Sequence, residues 1–138
     1  MKALPADAVS VELRAPFHDV DTLRVVWHGH YVKYVELARM EYLRRKHLSV
    51  RELEELGTML MVAQTHLKHI APLRHDDQFR VSAWLVEHHV RLEFEYEVFN
   101  LTTGKRAATG SSILACVRGD THEMCFRTPP EIVQRLEA

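Results

Sequence analysis

The spacing of apolar residues changes once in the first third of this chain, and that change constrains what it can fold into. Residues 9–17 alternate, with Val9, Val11, Leu13, Ala15 and Phe17 on one side and Ser10, Glu12 and Arg14 on the other. That is the pattern of a half-buried strand. From about Gly29 the period becomes helical: Tyr31, Tyr34, Val35, Ala38 and Tyr42 line up, while Val32, Leu37, Met40 and Leu43 fill other faces. A helix apolar on several sides belongs inside a protein, leaving Lys33, Glu36 and Arg39 to use whatever solvent or partner is available. Its last turn carries Arg44, Arg45, Lys46 and His47, which suits the negative end of the helix dipole.

Something must surround that helix, and the rest of the chain supplies mostly strands. Ser49-Val50-Arg51-Glu52 has capping-box spacing, so a short second helix is expected to run to Gly57. Strand-like segments follow at about 59–70, 78–87, 90–99 and 106–118. The third is the clearest, with Val90, Leu92, Phe94, Tyr96 and Val98 alternating against Arg91, Glu93, Glu95 and Glu97. Asn100 to Gly104 reads as a hairpin turn. Thr128, Pro129 and Glu131 mark a C-terminal helix with Thr128 as N-cap. A mostly antiparallel five-stranded sheet wrapped on one central helix buries the apolar face of each element against the other. The expected fold class is α+β, and 138 residues without repeats, low-complexity tracts or long Gly/Pro linkers fit one domain over 1–138.

Composition narrows the function classes. Formal net charge is −1, so no bulk field draws the chain to nucleic acid or to an anionic membrane, and neither is expected as a partner. Residues 1–10 lack the apolar core of a signal peptide, and no stretch reaches the length of a membrane span. A cytoplasmic protein with Cys116 and Cys125 as free thiols is the expectation. The ten histidines form none of the familiar metal-ligand spacings, and three-residue spacing sends His66 and His69 to opposite faces of a strand. Neither a metal nor a cofactor is expected. A Gly-x-Ser-x-Gly nucleophile is absent, and Cys116 in mid-strand reads as a buried thiol.

The chemistry concentrates ahead of the central helix, in Phe17-His18-Asp19-Val20-Asp21 and Val25-Val26-Trp27-His28-Gly29-His30-Tyr31. A helix N-terminus offers unpaired N–H groups and partial positive charge, which stabilise the oxyanion that develops in acyl transfer. A carboxylate beside it can activate water or attack directly. The ordinary role of an Asp before a helix is capping or turn formation, and Asp19 reads that way, as a turn-forming or hydrogen-bonding residue.

The same segment resembles the hallmark of the 4-hydroxybenzoyl-CoA thioesterase family of hotdog proteins. Asp19, Asp21, Val25, Val26, Trp27, His28, Tyr31, Glu36, Ala38 and Arg39 carry the likeness, and the layout over about 9–136 is similar, including Ala71-Pro72 and Asp76-Asp77. The resemblance implies a hotdog-fold thioesterase acting on acyl-CoA or acyl-carrier-protein thioesters without a metal, as a homodimer or homotetramer with sites at subunit interfaces. It implies that Asp21 is the catalytic carboxylate, as nucleophile or general base, and that His28 opens the helix whose backbone N–H polarises the carbonyl. Trp27, Gly29, Tyr31 and Arg24 are then the substrate-binding residues. The Trp-His-Gly version of the motif is also similar to thioesterases that stand beside aryl-polyene and fatty-acid-type biosynthetic systems, which favours a carrier-protein substrate.

One position departs from the family pattern. Arg24 stands where the family commonly has Gly, which implies a different backbone path, an ion pair with Asp21, or a contact to a substrate phosphate. It also motivates the alternative function, a non-hydrolytic acyl-thioester-binding module on the same fold. A hotdog dehydratase is disfavoured, because its acid belongs on the central helix and Asp21 precedes it.

Overall fold

A computed structural model describes residues 3–138. In chain order it comprises β1 (Val9–Arg14), a 3-10 turn (Phe17–Asp19), α1 (His30–Arg45), α2 (Val50–Glu55), β2 (Thr58–His69), β3 (Gln78–Glu87), β4 (Leu92–Asn100), β5 (Lys105–Arg118) and α3 (Pro130–Glu137). The strands form one sheet in the order β1-β3-β4-β5-β2, and every pairing is antiparallel. Register shifts at Val62/Gln64, Leu85/Glu87 and opposite Val98/Phe99, where Ala107 is skipped, place bulges in β2, β3 and β5. Bulges increase the local twist, which suits a sheet that curls around a helix. This is the α+β hotdog architecture expected from the sequence. No helix among the described residues is long and apolar enough to cross a membrane.

The core lies between α1 and the concave face of the sheet. Tyr31, Tyr34, Val35, Ala38, Arg39, Tyr42 and Leu43 form the buried stripe of α1, spaced at three and four residues. They face Phe79, Val81, Phe94 and Tyr96, which are almost fully buried. Burying each such large side chain contributes about 1.5–3 kcal/mol. Tyr34 packs on Phe79 with ring centroids 5.0 Å apart, and Tyr42 meets Phe94 edge-on at 5.3 Å.

Three expectations about local structure need correction. The strand expected over 9–17 stops at Arg14, because Pro16 and the following 3-10 turn break the alternation, and Phe17 is left exposed. The central helix is buried along one stripe only: Val32 and Leu37 stay near half exposed, while Arg39, expected to use solvent or a partner, is 7% exposed and takes partners. Position 39 follows Val35 by four and precedes Tyr42 by three, so helical geometry forces it inward. There one guanidinium N–H donates to the Tyr96 hydroxyl at 3.2 Å, and Glu36 pairs with it at 3.8 Å. Thr128 does not cap α3. Its side chain is buried, its amide donates to the His89 carbonyl at 3.0 Å, and Pro129 takes the N-cap position.

The other punctuation falls where expected. Ser49 Oγ accepts from the Glu52 amide at 3.2 Å, and the Glu52 carboxylate accepts from the Ser49 amide at 3.1 Å. Gly57 and Gly104 take φ of +68° and +73° after α2 and in the β4–β5 turn, where a side chain would be strained. Arg44 and Arg45, at the C-terminal end of α1, both pair with Glu41.

Candidate active site

The segment before α1 is held by two anchors. Val20 and Val26 form an antiparallel bridge, and the intervening residues close a tight turn. In it the Arg24 amide donates to the Asp21 carbonyl, and the Asp21 amide to the Val25 carbonyl, both at 2.9 Å. The second anchor is Asp19, whose side chain is 1% exposed. Its carboxylate accepts from the Tyr34 hydroxyl and from Lys33 Nζ at 3.0 Å, with His30 at 3.7 Å. Burial pushes the Asp19 carboxyl upward, but the Tyr34 and Lys33 hydrogen bonds and the nearby His30 outweigh it and hold the group below its ordinary range. Asp19 therefore staples the loop to the first turns of α1, and its carbonyl also accepts the Trp27 amide at 3.0 Å.

Arg24 stands in the turn at a position whose backbone conformation glycine favours. Its φ is +63°, the left-handed conformation that closes a three-residue hairpin loop and that glycine adopts without strain. No ion pair joins Arg24 to Asp21 among the described residues, and its side chain is exposed. The left-handed state costs an ordinary residue about 1–2 kcal/mol, against about 0.5–1 kcal/mol for the added freedom of an unfolded glycine. Arg24→Gly is therefore expected to raise stability by up to about 1 kcal/mol, read as a higher urea midpoint with an unchanged slope. A lower midpoint would show that the guanidinium contributes a contact of its own.

Asp21, His28 and Tyr31 come together on one cleft of about 270 Å³, walled by Val25, His69 and Pro72. Asp21 Oδ1 accepts the Leu23 amide at 2.8 Å, which fixes the orientation of the carboxylate. The amides of His28 and Gly29 donate to no backbone carbonyl among the described residues, as befits the two positions before a helix. Trp27, Gly29 and Arg24 lie outside this lining. The Trp27 ring sits over Gly29, where an added Cβ would lie 2.2 Å from it, so glycine is needed for space and not for its backbone angles. That ring also meets His28 and His30, with centroids 5.1 and 5.3 Å away.

His69 is the cleft residue that sequence reasoning missed as a functional candidate. It ends β2, stands edge-on to Tyr31 at 4.7 Å and lies 6.2 Å from the His28 ring. Burial first, and then His28, push its pKa below the ordinary histidine value, so it is neutral at pH 7. Tyr31 is pushed up by burial against an opposing backbone hydrogen bond from Leu73, and stays a phenol. A lone carboxylate, a neutral aromatic wall and unpaired helix-start amides are the parts needed to polarise a carbonyl and deliver an oxygen nucleophile to it.

Residues 15–136 match the family model of the thioesterase-like superfamily. The chain belongs to that superfamily, and its activity is thioester hydrolysis. Among relatives, the Synechocystis sp. protein sll0410 is 28% identical over 137 residues, covering 99% of this chain and 82% of that one. Acyl-CoA thioester hydrolase YbgC of Escherichia coli is 33% identical over 69 residues, 50% of this chain and 52% of YbgC. The structure of DHNA-CoA thioesterase from Staphylococcus aureus superposes with a TM-score of 0.79 at 26% identity, over 86% of this chain and 80% of that one.

Cys116 and Ser112 lie outside the Asp21 cleft. Cys116 is buried, and burial, with Cys125 nearby, pushes its thiol up to about 11. Ser112 is buried in β5, and its hydroxyl has no hydrogen-bond partner among the described residues. A second cavity of about 910 Å³ lies between α1, α2, β2 and β5, lined by Arg39, Leu43, Leu53 and Leu114. It is larger than the Asp21 cleft, and its lining carboxylates are Glu54, Asp120 and Glu131, the last in the first turn of α3.

Proposed function

We propose that this thioesterase hydrolyses acyl-CoA at the N-terminus of α1, with Asp21 as the catalytic carboxylate. The observation that carries the reading is the shared cleft: an oriented carboxylate on one wall and the start of α1 on another. The thioester oxygen accepts hydrogen bonds from the His28 and Gly29 amides, which strengthen as negative charge develops there. Asp21 either attacks the carbonyl carbon or takes a proton from the water that does. If Asp21 attacks, the C–S bond breaks to give an acyl–Asp21 anhydride that water then hydrolyses. If Asp21 acts as base, water adds to the carbonyl and the C–S bond breaks directly. In both routes one water is consumed overall and one of its protons ends on the thiol. Tyr31 and His69 line the acyl side and keep bulk water out. Arg24, exposed beside the cleft, meets a phosphate of the carrier, and Trp27 over Gly29 keeps the helix start shaped for the carbonyl.

CoA as carrier is supported by what YbgC and the Staphylococcus aureus enzyme are named for acting on. Thiol release from a panel of acyl-CoA and acyl-carrier-protein thioesters tests the reading. Turnover of acyl-CoA supports it; turnover confined to carrier-protein thioesters overturns the carrier assignment, and binding without thiol release overturns hydrolysis.

The whole chain acts as one domain, and its assembly is a homodimer, or a tetramer built from dimers, through the open edge of β2. That strand pairs only with β5 and leaves Met59, Met61 and Val62 exposed, an edge of the kind proteins cover. Sedimentation at the mass of a single chain would contradict the assembly. A cytoplasmic location keeps Cys116 and Cys125 as thiols; cell fractionation tests it.

A further inference from the structure

Away from the cleft, His88, His89 and Glu137 bring three ligand atoms within 4.8 Å of one another. His88 and His89 open the turn between β3 and β4, and Glu137 ends α3, 49 residues from His88. His88 Nε2 lies 3.0 Å from Glu137 Oε2, and His89 Nε2 lies 3.9 Å from the same oxygen. The two imidazoles stack at 4.2 Å with their planes 34° apart. One carboxylate needs only one imidazole for an ion pair. A single divalent cation engages both imidazole nitrogens and the carboxylate oxygen at once.

The scaffold under the three groups is fixed. The Glu87 carboxylate accepts the amides of His89 at 2.6 Å and Val90 at 3.2 Å, and the His89 carbonyl accepts the Thr128 amide at 3.0 Å. On the other side, Ile132 and Leu136 bury α3 against the core, and Arg135 donates to the His47 carbonyl at 2.7 Å. Tetrahedral zinc with bonds near 2.0–2.1 Å sets its ligand atoms about 3.4 Å apart. The two imidazole–carboxylate separations, 3.0 and 3.9 Å, lie on either side of that value, and all three ligand atoms lie within 4.8 Å of one another.

We propose that His88, His89 and Glu137 form a binding site for a borderline divalent cation such as zinc, which ties α3 to the β3–β4 turn. The N₂O donor set suits zinc and its first-row neighbours and disfavours calcium or magnesium. Three protein ligands leave the fourth position to water. The site lies on different elements from the Asp21 cleft and takes no part in thioester hydrolysis.

Zinc titration of the chelator-stripped, tag-free protein tests this, read by competition with a chromophoric chelator and by the shift in melting temperature. The expected result is one saturable equivalent per chain with a raised melting temperature. His89→Ala and Glu137→Gln should each weaken zinc binding at least tenfold and remove the thermal shift. Both positions are more than half exposed at the side chain, so these variants should fold. The control His122→Asn changes an exposed histidine elsewhere, in a left-handed conformation that Asn tolerates, and should bind like wild type. Absence of saturable uptake, or uptake unchanged in both site variants, overturns the proposal and leaves a simple His88–Glu137 ion pair.

Discussion

Asp21→Asn is expected to lower kcat for thioester hydrolysis by about 10²–10⁴-fold, with KM changed only a few-fold and the fold intact. Asn keeps the shape and the side-chain oxygen that accepts the Leu23 amide, so the turn should survive. What it loses is the negative charge that attacks the carbonyl or accepts a proton from water. A structural role alone would give the opposite pattern: lowered stability with kcat preserved. Steady-state thiol release alongside a thermal melt separates the two. If kcat is unchanged, Asp21 is a turn former and nothing more, as most aspartates before helices are.

The second large effect concerns Asp19. Asp19→Ala leaves the Tyr34 hydroxyl buried without its acceptor, which costs about 1–3 kcal/mol. Losing the pair to Lys33, which is half exposed, adds no more than about 1 kcal/mol. A total loss of about 1–4 kcal/mol in chemical denaturation is expected, and Asp19→Asn should recover part of it by restoring an acceptor for Tyr34. The pH dependence has a definite sign. The folded carboxyl lies below its ordinary value near 3.8, so its contribution is present above that pH and is lost as pH falls through the folded value. The variants should therefore differ most from wild type at neutral pH and converge with it in acid. Equal stability at pH 7 would show that the loop is held by backbone contacts alone.

Asp19 also shows how far a sequence carries the reader. The strands and α1 were legible because their apolar residues repeat with periods near two and between three and four, and burial of one face enforces those periods. The Ser49–Glu52 cap and the Gly57 and Gly104 turns were legible because each depends on a few local atoms. Asp19 reads as a turn-forming or hydrogen-bonding residue, but its partners Lys33 and Tyr34 are more than a dozen positions away and only the packed loop names them. Arg39 is left open between solvent and a partner by its charge, and its helical position decides for the buried side, against Tyr96 and Glu36. Thr128 looked like a cap, and burial under the β3–β4 turn overrode that preference.

The candidate site was legible to a similar depth. Asp21 and His28 stand close in sequence, and their shared cleft follows from a short hairpin and a helix start. His69 belongs to the far end of β2, and nothing in its local pattern announces that the strand ends against Tyr31. The meaning of Arg24 needed the backbone. A departure from glycine suggests a changed path, whereas φ of +63° is a conformation that glycine itself favours and that strains an arginine. His88, His89 and Glu137 escaped for another reason: adjacent histidines fit no familiar ligand spacing, and the third group arrives only when α3 packs.

The most direct test of the account is a crystal structure of Asp21→Asn holding an unhydrolysed acyl-CoA. The expected result places the thioester oxygen about 2.7–3.1 Å from the amides at His28 and Gly29. The substituted carboxamide at position 21 should face the carbonyl carbon, with His69 and Tyr31 along the acyl group. A thioester seated instead in the larger cavity beside Arg39 and Leu43, away from position 21, would contradict it.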